Sequence, residues 1–228
     1  MTKTDTSLFD VDLSDLPLDD LRLALAPAIA EAAVFDGWSE AAVVSAAEAA
    51  GVSVDVALYA FADGPMAMIA AWIAHIDAAM ARALSAETLA TMKVRERIRR
   101  LIRFRLDAQA GREETLRRAL AIMASPRHVL ASARLGWHSA DVMWRLAGDT
   151  AVDLNHYSKR ATLAGIYAAT LAVFVDDESA GKVDTLAFLD RRIDGVMRFE
   201  KLKGQMLRRD MPHFSPIRLL GRLRYPAR

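Results

Sequence analysis

One run, Gly148 to Val175 (GDTAVDLNHYSKRATLAGIYAATLAVFV), constrains this chain more than any other. Its first half is polar, with Asp149, Asp153, Asn155, His156, Tyr157, Lys159 and Arg160 crowded together. Fifteen residues then follow, Ala161 to Val175, without a single charge. A helix that is apolar all round is buried on more than one side. A bilayer crossing takes about 20 apolar residues, so this run is too short to span one. It reads as the central buried helix of an all-α protein, with a polar head at its N-terminal end.

The rest of the composition agrees with helices. Of 228 residues, 53% are hydrophobic, and there are only 11 Gly and 7 Pro, which suits one helical domain with a full core and at most a small appended module. The absence of Cys excludes disulfides, thiolate metal sites, iron–sulfur clusters and cysteine nucleophiles together. Residues 1–20 hold six Asp and one Lys, unlike a secretory signal or an Arg-rich presequence, so the expectation is a cytoplasmic, bacterial protein. The net charge of +1 hides an asymmetry: residues 1–81 carry two basic against thirteen acidic side chains, and residues 200–228 carry eight against two. Such opposite ends suit different partners.

The N-terminal third reads as helix, helix, Gly51, short helix, with Ser39 and Ser53 at N-cap positions and an Asp63-Gly64-Pro65 turn before the next helix. That is the order of a helix-turn-helix module. The run AIAEAAVFDGWSEAAVVSAAEAAGVSVDVALYAFADGPMAMIAAW resembles the N-terminal domain of TetR-type repressors. No Lys or Arg stands between Leu23 and Ala81, whereas seven acidic residues do. DNA affinity rests mainly on neutralised phosphates, so no nucleic-acid partner is expected.

Further helices are predicted over 65–84, 87–110 and 112–124, with another beginning at Ser125-Pro126 and ending at Gly148. In the first, Met66, Ile69, Trp72, Ile73, Ile76 and Met80 share a face that suits either ordinary core packing or an adaptable apolar cavity. In the second, Lys93, Arg95, Arg97, Arg99, Arg100, Arg103 and Arg105 oppose Val94, Ile98, Leu101 and Ile102, as a solvated face or one meeting an anionic surface. A long amphipathic helix is expected over 184–206, and antiparallel pairing of such helices gives a homodimer. In the last segment Ile217, Leu219, Leu220 and Leu223 oppose Arg218 and Arg222, the pattern of an interfacial helix that binds an anionic membrane.

No Glu-x-x-His pair, G-x-S-x-G, P-loop or G-x-G-x-x-G occurs, so no cofactor, resident metal or catalytic residue is assigned. Asp149, Asp153 and His156 have the residue types of metal ligands, but the simpler reading makes Asp149 or Asp153 a helix cap and leaves Lys159 and Arg160 solvated.

The strings WHSADVMWRLAGDTAVDLNHYSKRATLAGIYAATLAVFVDDES and DTLAFLDRRIDGVMRFEK are similar to the ubiquinone (coenzyme Q) biosynthesis accessory proteins that stand ninth in the conventional naming. With the TetR-like start, the resemblance covers nearly the full chain. It implies a non-enzymatic, dimeric protein of TetR-like fold that holds an isoprenoid lipid or quinone intermediate. Such a protein sits peripherally on the inner membrane and presents its lipid to the di-iron demethoxyubiquinone hydroxylase. On this reading the lipid pocket is lined by Trp72, Ile76, Met80, Leu101, Met143, Trp144, Tyr167 and Leu171. The hydroxylase would dock on Asp153, Asn155, His156, Tyr157 and Arg160, where His156 replaces the family's usual aromatic residue. Membrane contact falls to Ile217, Arg218, Leu219, Leu220, Arg222 and Leu223. The corresponding segments are 1–17 (acidic N-terminus), 18–64 (helix-turn-helix-like), 65–210 (lipid-binding and dimerisation bundle) and 211–228 (amphipathic tail). The rivals are a TetR-type ligand-responsive regulator and a helical enzyme acting through His156.

Overall fold

The computed structural model describes residues 13–150 and 154–208. A 3-10 turn, Leu13–Asp15, precedes α1, Leu18–Asp36. In α1 the apolar residues Leu21, Leu25, Ala26, Ile29, Ala30 and Ala33 recur at helical spacing, and all are buried. Pro27 sits inside this helix and has no N–H to give the Leu23 carbonyl. His75 takes that place, its Nδ1 lying 3.2 Å from the Leu23 oxygen. A carbonyl only accepts, so the ring proton is on Nδ1.

The next helices, α2 (Glu40–Ala50) and α3 (Val54–Ala60), complete the helix-turn-helix order. Gly51 ends α2 in the left-handed region, at φ 69°, and its N–H returns to the Ala47 carbonyl. Ser39 and Ser53 stand at the N-cap positions without side-chain capping bonds. The Ser39 hydroxyl instead donates to the Asp36 carbonyl at 3.0 Å. Then come α4 (Pro65–Ala83), α5 (Ala86–Ala90), α6 (Val94–Asp107), α7 (Glu113–Met123), α8 (Val129–Leu146), α9 (Leu154–Phe174) and α10 (Val183–Arg208). No strand occurs among the described residues, and the fold is an all-α, TetR-like bundle.

The N-terminal module is fastened to the bundle rather than hung from it. Trp38 is buried against Trp72, with ring centroids 5.4 Å apart, and its Nε1 donates to the Thr115 carbonyl at 3.2 Å. Thr115 in turn donates to the Ala30 carbonyl at 3.0 Å. Arg118 reaches the Ala33 and Phe35 carbonyls at the end of α1, where a helix leaves acceptors open.

Four expectations need correction. The single helix over 87–110 is two, because the chain breaks at Thr91–Lys93. There the Thr91 hydroxyl donates to the Thr88 carbonyl at 3.0 Å, and the Glu96 carboxylate accepts the Lys93 N–H at 3.3 Å. Arg97 leaves the solvated face and donates to the Ala90, Met92 and Ala147 carbonyls. The helix expected from Ser125-Pro126 begins at Val129, after a turn closed by the His128 N–H on the Ser125 carbonyl. The central helix α9 is not buried all round. Leu163, Tyr167, Thr170, Leu171 and Phe174 form its buried stripe, while Ala161, Gly165, Ala168 and Ala172 are exposed.

The chain divides within α10 into two units, 1–189 and 190–228. In the first unit, Asp177 fixes the start of α10. It accepts the Ser179 and Thr185 N–H groups at 2.8 Å and both hydroxyls at 2.5 Å. Burial would raise this carboxyl, but the four bonds hold it far below the usual carboxylate range. In the second unit the described residues, 190–208, continue α10 as helix. No single described helix is long and apolar enough to cross a membrane. Ile217, Arg218, Leu219, Leu220, Arg222 and Leu223 lie outside the described residues.

Candidate functional site

Side chains of α4, α6, α7, α8 and α9 line a cavity of about 560 Å³, within the range of about 300–1,000 Å³ usual for small-molecule sites. Its buried wall is apolar: Ile69, Trp72 and Ile76 from α4, Leu116 and Ala119 from α7, and Leu171 from α9. Its exposed rim is made of Ala124, Val129, Ala133, Ala161, Gly165 and Ala168. Small residues keep the space open. A Cβ placed on Gly136 or Gly165 would meet no atom within 4 Å.

Part of the buried wall is polar, because Arg105, Gln109 and Ser139 line it as well. Arg105, 2% exposed, forms an ion pair through Nη1 with buried Asp77. Its Nη2 donates to the Ser139 hydroxyl at 3.2 Å, which donates to the other Asp77 oxygen at 3.1 Å. The guanidinium lies 4.7 Å from the centroid of the Tyr167 ring. Gln109 Nε2 donates to the Arg105 carbonyl at 2.7 Å and to the Tyr167 hydroxyl oxygen at 3.1 Å. The first of these acceptors can only accept, which fixes the orientation of the amide. Buried Arg105 Nε has no hydrogen-bond partner among the described residues.

A second polar cluster builds the head of α9. Arg160, also 2% exposed, donates through Nε to Asp141 at 2.5 Å and through Nη1 to Asp149 and the His156 carbonyl, both at 3.1 Å. Lys159 donates to Asp149 at 2.6 Å and stands 5.3 Å over the Trp144 ring, whose Nε1 donates to the Lys159 carbonyl at 3.0 Å. Arg145 pairs with Asp141 at 2.7 Å. Burial would raise both carboxyls. For Asp149, bonds from Lys159 and Arg160 bring it below its ordinary value; for Asp141, the Arg160 bond and the Arg145 and Arg160 charges do so. Gly148, at φ 84°, lets the chain turn here, and a Cβ on it would come within 3.2 Å of Arg97 Nη1. Above this cluster Tyr157 is 61% exposed. Its ring centroid is 5.2 Å from that of His156 and 6.0 Å from that of Trp137. Trp137 also lines the cavity, so the aromatic head and the cavity adjoin.

Of the eight predicted lining residues, Trp72, Ile76, Tyr167 and Leu171 lie on the cavity wall. Met80, Leu101 and Met143 are buried in the core and do not line it. Trp144 packs on the head through Lys159 instead. Of the predicted docking residues, His156 and Tyr157 reach the surface, but Arg160 is buried by its two carboxylates rather than presented. Asp153 lies outside the described residues, and for Asn155 only the helical backbone is described. Asp149 is an ion-pair partner of Lys159 and Arg160. No group of three His, Asp or Glu side chains suited to a metal ion occurs among the described residues.

Asp77, Arg105, Gln109 and Ser139 were missed in the sequence. Their signal is helical phase: Arg105 and Gln109 continue the Ile98, Leu101, Ile102 face of α6, and Asp77 follows Ile69, Ile73 and Ile76.

Residues 129–200 match the model of the COQ9 family. The chain is 32% identical over 168 residues to the mitochondrial ubiquinone biosynthesis protein COQ9 of Rattus norvegicus, covering 71% of this chain and 54% of that one. It is 30% identical to the Homo sapiens protein of that name, over 71% and 52%, and 24% identical to the Drosophila melanogaster one, over 85% and 60%. It therefore spans about half the length of the rat and human relatives. Among solved structures, a TetR transcriptional regulator from Nitrosomonas europaea ATCC 19718 superposes with a TM-score of 0.61 at 23% identity, covering 77% of this chain and 97% of that one. At that identity the likeness is one of fold.

Proposed function

The chain belongs to the COQ9 family, and on that premise we propose that it is a non-enzymatic, lipid-binding accessory protein of ubiquinone biosynthesis. It holds an isoprenoid quinone intermediate and presents it to a membrane-associated hydroxylase of the di-iron type. The observation that carries this reading is the apolar cavity of about 560 Å³, walled by Trp72, Ile76, Tyr167 and Leu171 and rimmed by small residues. The exposed Tyr157 and its neighbour His156, joined to the cavity wall through Trp137, form the docking surface on this reading. Lys159 and Arg160 act beneath that surface by holding the head of α9 in place.

The remaining parts of the proposal follow from charge and amphipathicity. Ile217, Leu219, Leu220 and Leu223, with Arg218 and Arg222, attach the protein to an anionic bilayer. Its place of work is the inner membrane, approached from the cytoplasm, whereas the curated relatives are named as mitochondrial. It works as a homodimer.

Organic extraction of purified protein followed by mass spectrometry tests the central point. A co-purifying isoprenoid lipid is expected from the parent chain and its loss from Gly136→Leu, which fills the cavity from a wall position with open space in front of it. Extracts without lipid from both proteins would overturn the reading. A DNA-binding regulator is disfavoured because no Lys or Arg stands between Leu23 and Ala81, a span that holds α2 and α3.

A further inference from the structure

We infer that the turn joining α7 to α8 is a membrane-contacting portal, which dips into the interface of an anionic bilayer and sets the mouth of the cavity against it. The contact rests on this surface alone; its use as a portal rests on the cavity being a lipid site. Three observations carry it. First, large apolar side chains stand in water at this turn. Val129 and Leu130 are 59% and 63% exposed, side by side in the first turn of α8, and Pro126 and Ala133 are exposed beside them. Exposed apolar residues scattered singly need no explanation, whereas a contiguous patch marks a contact. A lipid interface supplies the burial that these side chains lack.

Second, the patch is framed by cations and holds no anion. Arg127 precedes it, and Arg134 stands one helical turn after Leu130 on the same face of α8. Both are exposed, and neither has an ion-pair partner among the described residues. Arg117 and Arg118, by contrast, are paired with Glu114 and Asp176. From Thr115 to Ala140 the chain contains no Asp or Glu. Apolar side chains edged by Arg suit an anionic bilayer, because the guanidinium groups reach the phosphates while the apolar groups enter the acyl boundary. Third, the patch and the cavity are continuous: Val129 and Ala133 belong to both. A protein partner seated here would stopper the rim, whereas a bilayer brings apolar chains to it. The turn is also held in shape, by the His128 N–H on the Ser125 carbonyl at 2.9 Å and the Ser132 hydroxyl on the Met123 carbonyl at 2.9 Å.

The chain contains no Cys, so Leu130→Cys and, on exposed α2, Glu48→Cys each give the full chain one labelling site. Each carries a nitrobenzoxadiazole label and is mixed with phosphatidylcholine vesicles, with or without phosphatidylglycerol. The label at 130 should brighten on the anionic vesicles and be quenched by nitroxides on their acyl chains; the label at 48 should do neither. In flotation, Val129→Ser/Leu130→Ser and Arg127→Gln/Arg134→Gln should each partition about tenfold more weakly than the parent, with its helical circular dichroism kept. A fluorescent alkyl probe carried in the vesicles should pass to the serine variant more slowly than to the parent and reach the same final amount. A label at 130 that stays dim while the chain floats would overturn the contact and leave the C-terminal anchor standing. A parent chain that does not float would overturn the contact and that anchor together, without touching lipid found in extracts. Equal partition onto neutral vesicles would overturn the part given to the two arginines. Brightening at 130 without vesicles, rising with protein concentration, would make the patch a contact between copies and overturn the proposal. An unchanged transfer rate in the serine variant would overturn the portal.

Discussion

Two buried arginines, Arg105 and Arg160, sit in the same bundle at the same exposure and have opposite surroundings. Arg160 has two carboxylates, a carbonyl acceptor, and a partner on Nε. Arg105 has one carboxylate, and its Nε points to no acceptor among the described residues. The first is a closed knot that holds the head of α9 to α8. The second borders open space and is incomplete by itself. The contrast is one of surroundings: Arg160 is tied through Nε and Nη1 to two carboxylates, whereas Arg105 has one carboxylate and a sealed Nε without a partner among the described residues.

Removing the closed knot should give the largest effect. Arg160→Ala removes the buried cation that Asp141 and Asp149 share and leaves each with one partner, Arg145 and Lys159, and should lower stability by about 2–3 kcal/mol in urea unfolding. A loss under about 1 kcal/mol would mean that Arg145 and Lys159 suffice for the two carboxylates and that Arg160 does not tie the knot.

Acid should loosen the same knot next. In the folded protein Asp141 and Asp149 sit below their ordinary values, near 3.9 for an aspartate in an unfolded chain. The unfolded state therefore binds more protons as the pH drops. The contribution is complete above about pH 5 and is lost as the pH falls through the folded values. Melting temperature measured from pH 6 to pH 3 should fall less steeply in Arg160→Ala than in the parent. Asp177 gives a background common to both. Parallel profiles would show that Arg160 does not set these carboxyls.

The open cluster should respond differently to a complete exchange. Asp77→Leu/Arg105→Met/Ser139→Ala removes all partners together, so no buried group is stranded, and stability should shift by no more than about 2 kcal/mol in either direction. A larger loss would make Arg105 a structural residue like Arg160 and would close the distinction between the two.

Much of this architecture was legible in the sequence because it depends on periodicity and punctuation. The helix-turn-helix order follows from Gly51, Ser39, Ser53 and the Gly64-Pro65 turn. The burial of Trp72, Ile76, Tyr167 and Leu171 follows from apolar spacing, and their assignment to a cavity wall from the family resemblance. What misled was reading charge as exposure. Lys93 to Arg105 looked like one solvated stripe, yet Arg97 caps broken helix ends and Arg105 shares the phase of Leu101 and Ile102. Arg160 reads as a surface residue among its polar sequence neighbours, yet its burial depends on Asp141, nineteen residues earlier on another helix. Met80, Leu101 and Met143 suited a cavity by type, but periodicity cannot tell a residue beside a void from one packed in the core.

The smallest expected effect bears on the open side. Gly136 of α8 is helical, faces the cavity, and has no atom within 4 Å of where a Cβ would stand. In a helix interior Gly is less stable than Ala by about 0.5–1 kcal/mol, so Gly136→Ala should raise stability by that amount without strain. The head of α9 contains no comparable gap: Gly148 has positive φ, and its Cβ would approach Arg97, so Gly148→Ala should be destabilising. A bundle selected for stability alone would have filled position 136 with a side chain. Opposite signs at 136 and 148 in the same unfolding assay would show that position 136 accepts a side chain without strain, whereas position 148 needs its positive φ. Equal signs would mean that Gly136 serves the packing of α8 and not the cavity.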